Sequence, residues 1–344
     1  MQTADIKELA QVHGNPAVSI LCRLDRRRPG NLEDPRRLDA LRKEAIAAVL
    51  TAHSEGQVAP LLRRLDTAVD SVDFGHPSDA VAILVTADES HVVPLPYPVF
   101  SRVVVNDSFA TRDLVNGERQ ALSARVLVLD AERARCFDVD GNTLHEIHDH
   151  GFPLHVSAPV QEDTPHRDLP IGEHEDAEAH RFVLRTVDTA LAELQARDRR
   201  PIVVLAPIRQ VAYFDEVTRF DKEIIGRVHG NHVADTLAGI EAAVQPALAA
   251  EVQRRADAAV LRAREAVGTG AVTRFAGVAE AAGSGRGREL ILEENLRVAT
   301  SPDEGPHDPV DEVIDAVLTH GGTVTTVPDG SLAEQGGMVL ILRY

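Results

Sequence analysis

Two hydrophobic periods alternate along this chain, and that alternation restricts the fold more than any other feature. Residues 17–24 (AVSILCRL), 79–86 (DAVAILVT), 125–129 and 201–206 (PIVVLA) are short, apolar and rich in β-branched side chains, as strands are. Between them, Leu38, Leu41, Ile46 and Val49 trace one helical stripe, and Phe182, Leu184, Val187, Leu191 and Leu194 another. Strands alternating with amphipathic helices build sheets covered by helices, so the expected class is α/β. At 344 residues the chain exceeds what one hydrophobic core ordinarily serves, and two or three domains of roughly 100–150 residues are expected.

The punctuation divides the chain into three consecutive α/β domains, 1–118, 119–266 and 267–344. The first opens with a short helix over 5–13 and the strand 17–24. An Arg-rich loop follows, then helices beginning at Pro35 and spanning 58–69, then adjoining strands 79–86 and 91–95 closed by Pro94, Pro96 and Pro98. The second starts as a meander, 125–129, 134–138 and 143–147, with turn chemistry at Asp140-Gly141-Asn142. A polar, proline-rich loop, 155–172, precedes a helix that begins in an acidic turn, the strand 201–206 and a long helix over 233–266 containing Pro246. Gly268 and Gly270 then break the chain. The last 80 or so residues read helix 275–282, strand 289–292, helix 309–319, strand 323–327 and terminal strand 338–343, a compact helix-on-sheet domain.

Charge narrows the function classes. The net charge of -18 repels a phosphate backbone and disfavours general nucleic-acid binding, DNA included. With no Trp, three Tyr and nine Phe, aromatic platforms for single-stranded bases are not expected. Basic residues nevertheless gather early: between positions 23 and 43 lie Arg23, Arg26, Arg27, Arg28, Arg36, Arg37, Arg42 and Lys43. Positions 146–180 are the opposite, rich in Asp and Glu with Arg167 as their one basic residue. The first ten residues have no apolar core of a signal peptide, and no apolar run approaches the ~20 residues of a membrane helix. A cytoplasmic protein that does not enter membranes is the expectation. Cys22 and Cys136 sit in separate strand-like stretches, as buried structural thiols do.

No motif of established chemistry stands out. The GSGRG run from Gly283 precedes a strand instead of opening a helix, and no Lys-Ser or Lys-Thr follows, so it lacks the helix N-terminus that phosphate cradles use. His145, His148, His150, His155, His166, His174 and His180 cluster among carboxylates, and imidazole with carboxylate oxygen can hold zinc or a related metal. Their spacing is not that of a zinc helix, and His145 and His148 would face opposite sides of a strand. A solvated, pH-responsive acidic loop is the simpler reading. No nucleophile elbow is present, and neither cysteine has an adjacent histidine.

The C-terminal stretch DEVIDAVLTHGGTVTTVPDGS, from Asp311, and the closing GGMVLILRY, from Gly336, resemble the end of the third domain of archaeo-eukaryotic release factors and Pelota. Phe275-Ala-Gly-Val and Glu289-Leu-Ile-Leu are similar to the helix and strand that open that domain. Residues 125–142, 201–206 and His229-Gly-Asn231 look like the family's middle domain. Asn15-Pro-Ala-Val-Ser-Ile, Asp34-Pro-Arg-Arg-Leu and Leu95-Pro resemble the first domain of bacterial members. On this resemblance the chain is identified with the bacterial archaeo-eukaryotic release factor family.

What the resemblance implies is a ribosomal partner, met through rRNA and the tRNA site, with a translational GTPase alongside, and no cofactor. True release factors carry Gly-Gly-Gln in the loop matching 155–172; here that loop has Gln161 as its one glutamine, without flanking glycines, beside His166, Arg167 and Gly172. Peptidyl-tRNA hydrolysis is therefore not expected, and a non-catalytic stress, rescue or hibernation role is. Arg26, Arg27, Arg28, Arg36 and Arg37 are the candidate rRNA contacts, because guanidinium offers phosphate a bidentate fork. A hydrolase using the His-rich segment 155–180, with or without metal, and an acidic protein-interaction module are the alternatives.

Overall fold

A computed structural model describes residues 3–25, 28–75, 78–120, 122–140, 143–155, 173–298 and 306–343. The chain has an α/β multi-domain architecture of two compact units, Met1–Ala121 with Arg255–Tyr344, and Leu122–Arg254.

The first unit holds two sheets. β1 (His13–Arg23), β2 (Ala80–Val85), β3 (Ser90–Leu95) and β4 (Arg102–Ser108) form an antiparallel sheet in the order β3-β2-β1-β4. β1 and β2 are buried on both faces, which explains why they read as continuous apolar runs. On one face Val18, Ile20, Cys22 and Ile83 pack against Leu38, Leu41, Leu61 and Leu65 of α2 (Glu33–Ala52) and α3 (Glu55–Asp70). Pro94 does not end the ladder as expected: it lies inside β3, opposite Val81. β3 is an edge strand, and its unpaired side tolerates a residue without an N–H.

The other face of this sheet shares a core with the second sheet of the unit. That sheet comprises β11 (Ala271–Thr273), β12 (Gly287–Glu293), β13 (Thr323–Val327) and β14 (Met338–Leu342), in the order β11-β14-β12-β13. Only the β12–β13 pair is parallel, and it is the pair bridged by α9 (Pro309–Thr319). Ala17, Leu21, Leu84 and Phe109 of the first half meet Val310, Ile314, Leu290 and Leu340 of the second in one apolar cluster. Ile6 and Leu9 of α1 (Thr3–Ala10), Leu114 of α4 (Arg112–Gln120) and Val278 of α8 (Phe275–Gly283) complete it. Gly336 and Gly337 sit at φ +77 and +81 just before β14, and a Cβ on Gly337 would come 2.4 Å from a Leu296 methyl. Both conformation and space demand glycine there.

The second unit is a single mixed sheet. β5 (Ala124–Leu129), β6 (Arg133–Asp140) and β7 (Thr143–Glu146) form the expected antiparallel meander, with β8 (Leu154–His155) also on β6. β9 (Ile202–Ala206) and β10 (Ile224–His229) extend it in parallel, giving β10-β9-β5-β6-β7. α5 (Glu173–Arg197) and α6 (Ile208–Val217) cover one face through Leu184, Leu191, Val211 and Phe214. The early turns of α7 (Leu237–Ala266) cover the other through Ile240, Val244 and Leu248. The later turns of the same helix give Ala256, Ala259 and Ala263 to a core with Val339 and Ile341 in the first unit.

β4, α4, β8, α6, β10 and β11 are additional to the elements the sequence pattern announces. Cys22 and Cys136 are buried, and burial pushes their thiols up to about 11 and about 12, so both behave as inert hydrophobes. Among the described residues no helix is long and apolar enough to cross a membrane.

Candidate functional site

Of the arginines singled out from the sequence, Arg28, Arg36 and Arg37 are described; Arg26 and Arg27 lie outside the described residues. Arg36 and Arg37 stand in the first turns of α2, and Arg28 belongs to the connection between β1 and α2. Its shape comes from a short polar relay. Asn31 accepts, on Oδ1, the backbone N–H groups of Glu33 at 2.8 Å and Asp34 at 2.9 Å, supplying the cap that Leu32 cannot. Asp34, 4 % exposed, then accepts from the Asp25 N–H at 2.9 Å, the Asn31 amide at 2.7 Å and the Arg37 guanidinium at 2.8 Å. Arg37 also donates to the Arg23 carbonyl at 2.7 Å, tying the first turns of α2 to the end of β1. A carboxylate removed from water needs this many donors.

Arg37 is therefore committed to holding the loop. Arg23, Arg28 and Arg36 are not: all three are exposed, and none makes a side-chain ion pair among the described residues. Beside them opens a cleft of about 870 Å³ lined by Arg23, Arg28 and Arg37 and by Asp25, Glu33 and Asp79. Three cations facing three carboxylates give no net positive field, so the cleft as a whole does not recruit polyanions. What it offers is a rim of guanidinium groups able to grip a phosphate or carboxylate brought to it by other contacts.

The second sequence candidate, the loop 155–172, falls almost entirely outside the described residues, and with it Gln161, His166, Arg167 and Gly172. The described histidines around it are dispersed. His145 is exposed on β7, and His148 lies beyond that strand. His150 sits between Glu193, 3.0 Å from Nδ1, and Asp149, 3.2 Å from Nε2. His180 packs on the Tyr213 ring at 5.7 Å between centroids. Among the described residues no three His, Cys, Asp or Glu side chains are grouped to hold a metal ion. The GSGRG run forms the turn from α8 into β12, as its position before a strand led one to expect.

Sequence reasoning missed a dense, buried polar cluster. It lies within the first unit, where β4 and α4 meet the N-terminal turns of α9. Arg102 donates to Asp113 at 2.6 and 3.1 Å, to Asp308 at 2.7 Å and to Asp311 at 3.3 Å. Arg112 donates to Asp308 and to the Leu296 carbonyl through its side chain, and to Asp311 at 2.9 Å through its backbone N–H. Asp315 accepts from the hydroxyls of Ser108 and, at 2.8 Å, Thr111. Asp308 caps α9, accepting from the Val310 N–H. One signal was available: Asp308, Asp311 and Asp315 fall on one face of a helix whose other side chains are mainly apolar.

Residues 125–286, a little under half the chain, match the family model for bacterial archaeo-eukaryotic release factor family 3. Among solved structures, the archaeal translation termination factor aRF1 is 16 % identical over all of this chain and 99 % of its own, with a TM-score of 0.28. Archaeal Pelota, from a model of ribosome-bound Pelota with ABCE1, is 13 % identical over 100 % and 94 %, with a TM-score of 0.44. Pelota of Archaeoglobus fulgidus is 11 % identical over 100 % and 92 %, with a TM-score of 0.39. No curated protein matches the chain.

Proposed function

We propose that the protein is a ribosome-associated factor of the release-factor type that does not hydrolyse peptidyl-tRNA and serves in stress, rescue or hibernation. The observation that carries this reading is the match of residues 125–286 to a release-factor family model. Two features support it. Gly-Gly-Gln occurs nowhere in the 344 residues, so the loop 155–172 has no glycine-flanked glutamine to expose. The exposed guanidinium groups of Arg28 and Arg36 stand unpaired among the described residues on a chain of net charge -18.

In this reading Arg26, Arg27, Arg28 and Arg36 contact rRNA phosphates, and Arg37 holds the loop that presents them. The surrounding negative charge confines RNA contact to that rim and opposes indiscriminate binding. The site of action is the cytoplasm, with a translational GTPase as the accompanying partner.

Sedimentation of tagged protein with cell lysate through a sucrose gradient tests the proposal. Co-migration with 70S or subunit fractions, weakened in an Arg28→Ala/Arg36→Ala variant, is the expected result. Absence from every ribosomal fraction in both growth and starvation overturns it.

A further inference from the structure

We propose that the acidic face of α9 and the arginine end of β4 and α4 form a proton-operated clasp, closed while the cluster holds a proton and loosened when that proton leaves. The argument starts from a charge count. Four carboxylates, Asp113, Asp308, Asp311 and Asp315, meet two guanidinium groups, Arg102 and Arg112. Burial makes the imbalance costly: Asp311 is 0 %, Arg112 3 %, Asp315 4 % and Asp308 8 % exposed. Charges taken from water need partners, and both cations are already spent on Asp113, Asp308 and Asp311.

Asp315 is left with hydroxyls. Ser108 at the end of β4 and Thr111 at the start of α4 face its two oxygens, and among the described residues no guanidinium reaches it. The other charged groups nearby are Asp311 and Glu312 on its own helix, both of the same sign. Past them, His307 lies 2.8 Å from Asn106 and 3.6 Å from Glu312. Apolar side chains also pack in the same core as α9: Ile6 and Leu9 from α1, Val278 and Ala281 from α8, Leu290 and Leu292 from β12. A carboxyl group so placed keeps its proton, which it can donate to one hydroxyl while accepting from the other.

Burial first, and the like charges of Asp311 and Glu312 next, push Asp315 up to about 8, against the lowering effect of the two hydroxyls. Burial also raises Asp311, opposed by Arg102 and Arg112. The sign follows directly. A carboxyl whose folded value lies above its unfolded value stabilises the fold most in acid and loses that contribution as pH rises through the folded value. The clasp is therefore tightest in acid and loosens progressively as pH rises from the ordinary aspartate range toward about 8. What loosens is specific: β4 and α4 on one side and α9 on the other, residues about 200 apart in sequence that carry the polar seam between the two sheets of the unit.

Hydrogen–deuterium exchange on the full chain, corrected for intrinsic rates, reads this out. Between about pH 6 and about pH 9, protection of β4 and α9 is expected to fall roughly tenfold relative to β9 in the other unit. Asp315→Asn keeps the shape, removes the titration, and should flatten that fall. Ser108→Ala removes a hydrogen bond that favours the ionised carboxylate, so the loosening should continue to higher pH and its midpoint move upward. This variant also keeps the test sharp if the amide variant does not fold. Protection of β4 and α9 that does not change with pH in the wild type overturns the proposal. So does an Asp315→Asn profile identical to wild type, or a Ser108→Ala midpoint that does not move upward.

Discussion

The arginines around the start of α2 and those at the β4–α9 seam differ in everything except side chain. Arg28 and Arg36 are exposed and without ion pairs among the described residues, on a chain that carries -18 overall. Arg102 and Arg112 are nearly enclosed, and between them they bind three aspartates and a carbonyl. The same group stays open to solvent in one place and serves architecture in the other. The reason is energetic: an exposed ion pair contributes little, whereas a buried one is expensive to break. Arg37 stands between the extremes, half-exposed yet bonded to the buried Asp34.

The contrast can be broken by substitution. Arg112→Ala takes from Asp308 one of its two guanidinium donors and from the Leu296 carbonyl its side-chain donor, and urea unfolding should show a loss of about 3–5 kcal/mol, the largest expected here. Asp315→Asn works in the opposite direction at high pH. Wild-type stability should decline as pH rises from the ordinary aspartate range toward 8, the value to which Asp315 is raised. The amide variant should decline less and be more stable than wild type near pH 8 by on the order of 1–3 kcal/mol, measured by chemical denaturation across pH. A wild type that grows more stable over that window would refute the sign.

Arg37→Ala removes one of the three donors to Asp34, and a cost of about 1–2 kcal/mol in thermal or urea unfolding is expected. The smallest effect on stability belongs to the Arg28→Ala/Arg36→Ala pair, within about 0.5 kcal/mol of wild type. That pair should nonetheless lower ribosome co-sedimentation severalfold. If it instead destabilises the fold as much as Arg37→Ala does, the division between presenting and holding arginines fails.

Most helices were legible in the sequence because their signals are local. Pro35 in the first turn of α2, Asp308 and Pro309 opening α9, and the apolar stripe Val310, Val313, Ile314 and Val317 each announce an element without reference to anything distant. β10 was not legible for a physical reason: Gly226 interrupts its apolar pattern, and the structure shows why, since a Cβ there would lie 2.8 Å from the Ala247 Cβ on α7. β4 was hidden by its polar end, Asn106-Asp107-Ser108, whose Asn106 and Ser108 face residues two hundred positions away. The arginine candidates were visible as a cluster, but which of them holds the loop was not.

By itself, then, the amino-acid sequence determined the alternation of strands and helices, the meander of β5 to β7, the glycine pair ahead of β14 and the chain-end pattern that resembles release factors. Each depends on backbone propensity or on neighbours within a few residues. Only the tertiary structure decided that Arg102 and Arg112 meet Asp308 and Asp311 and that, among the described residues, Asp315 is left to two hydroxyls and Arg28 makes no ion pair while Arg37 does. Those outcomes turn on burial and on contacts between distant segments. A charged side chain changes role with its access to water, and sequence distance does not measure that access.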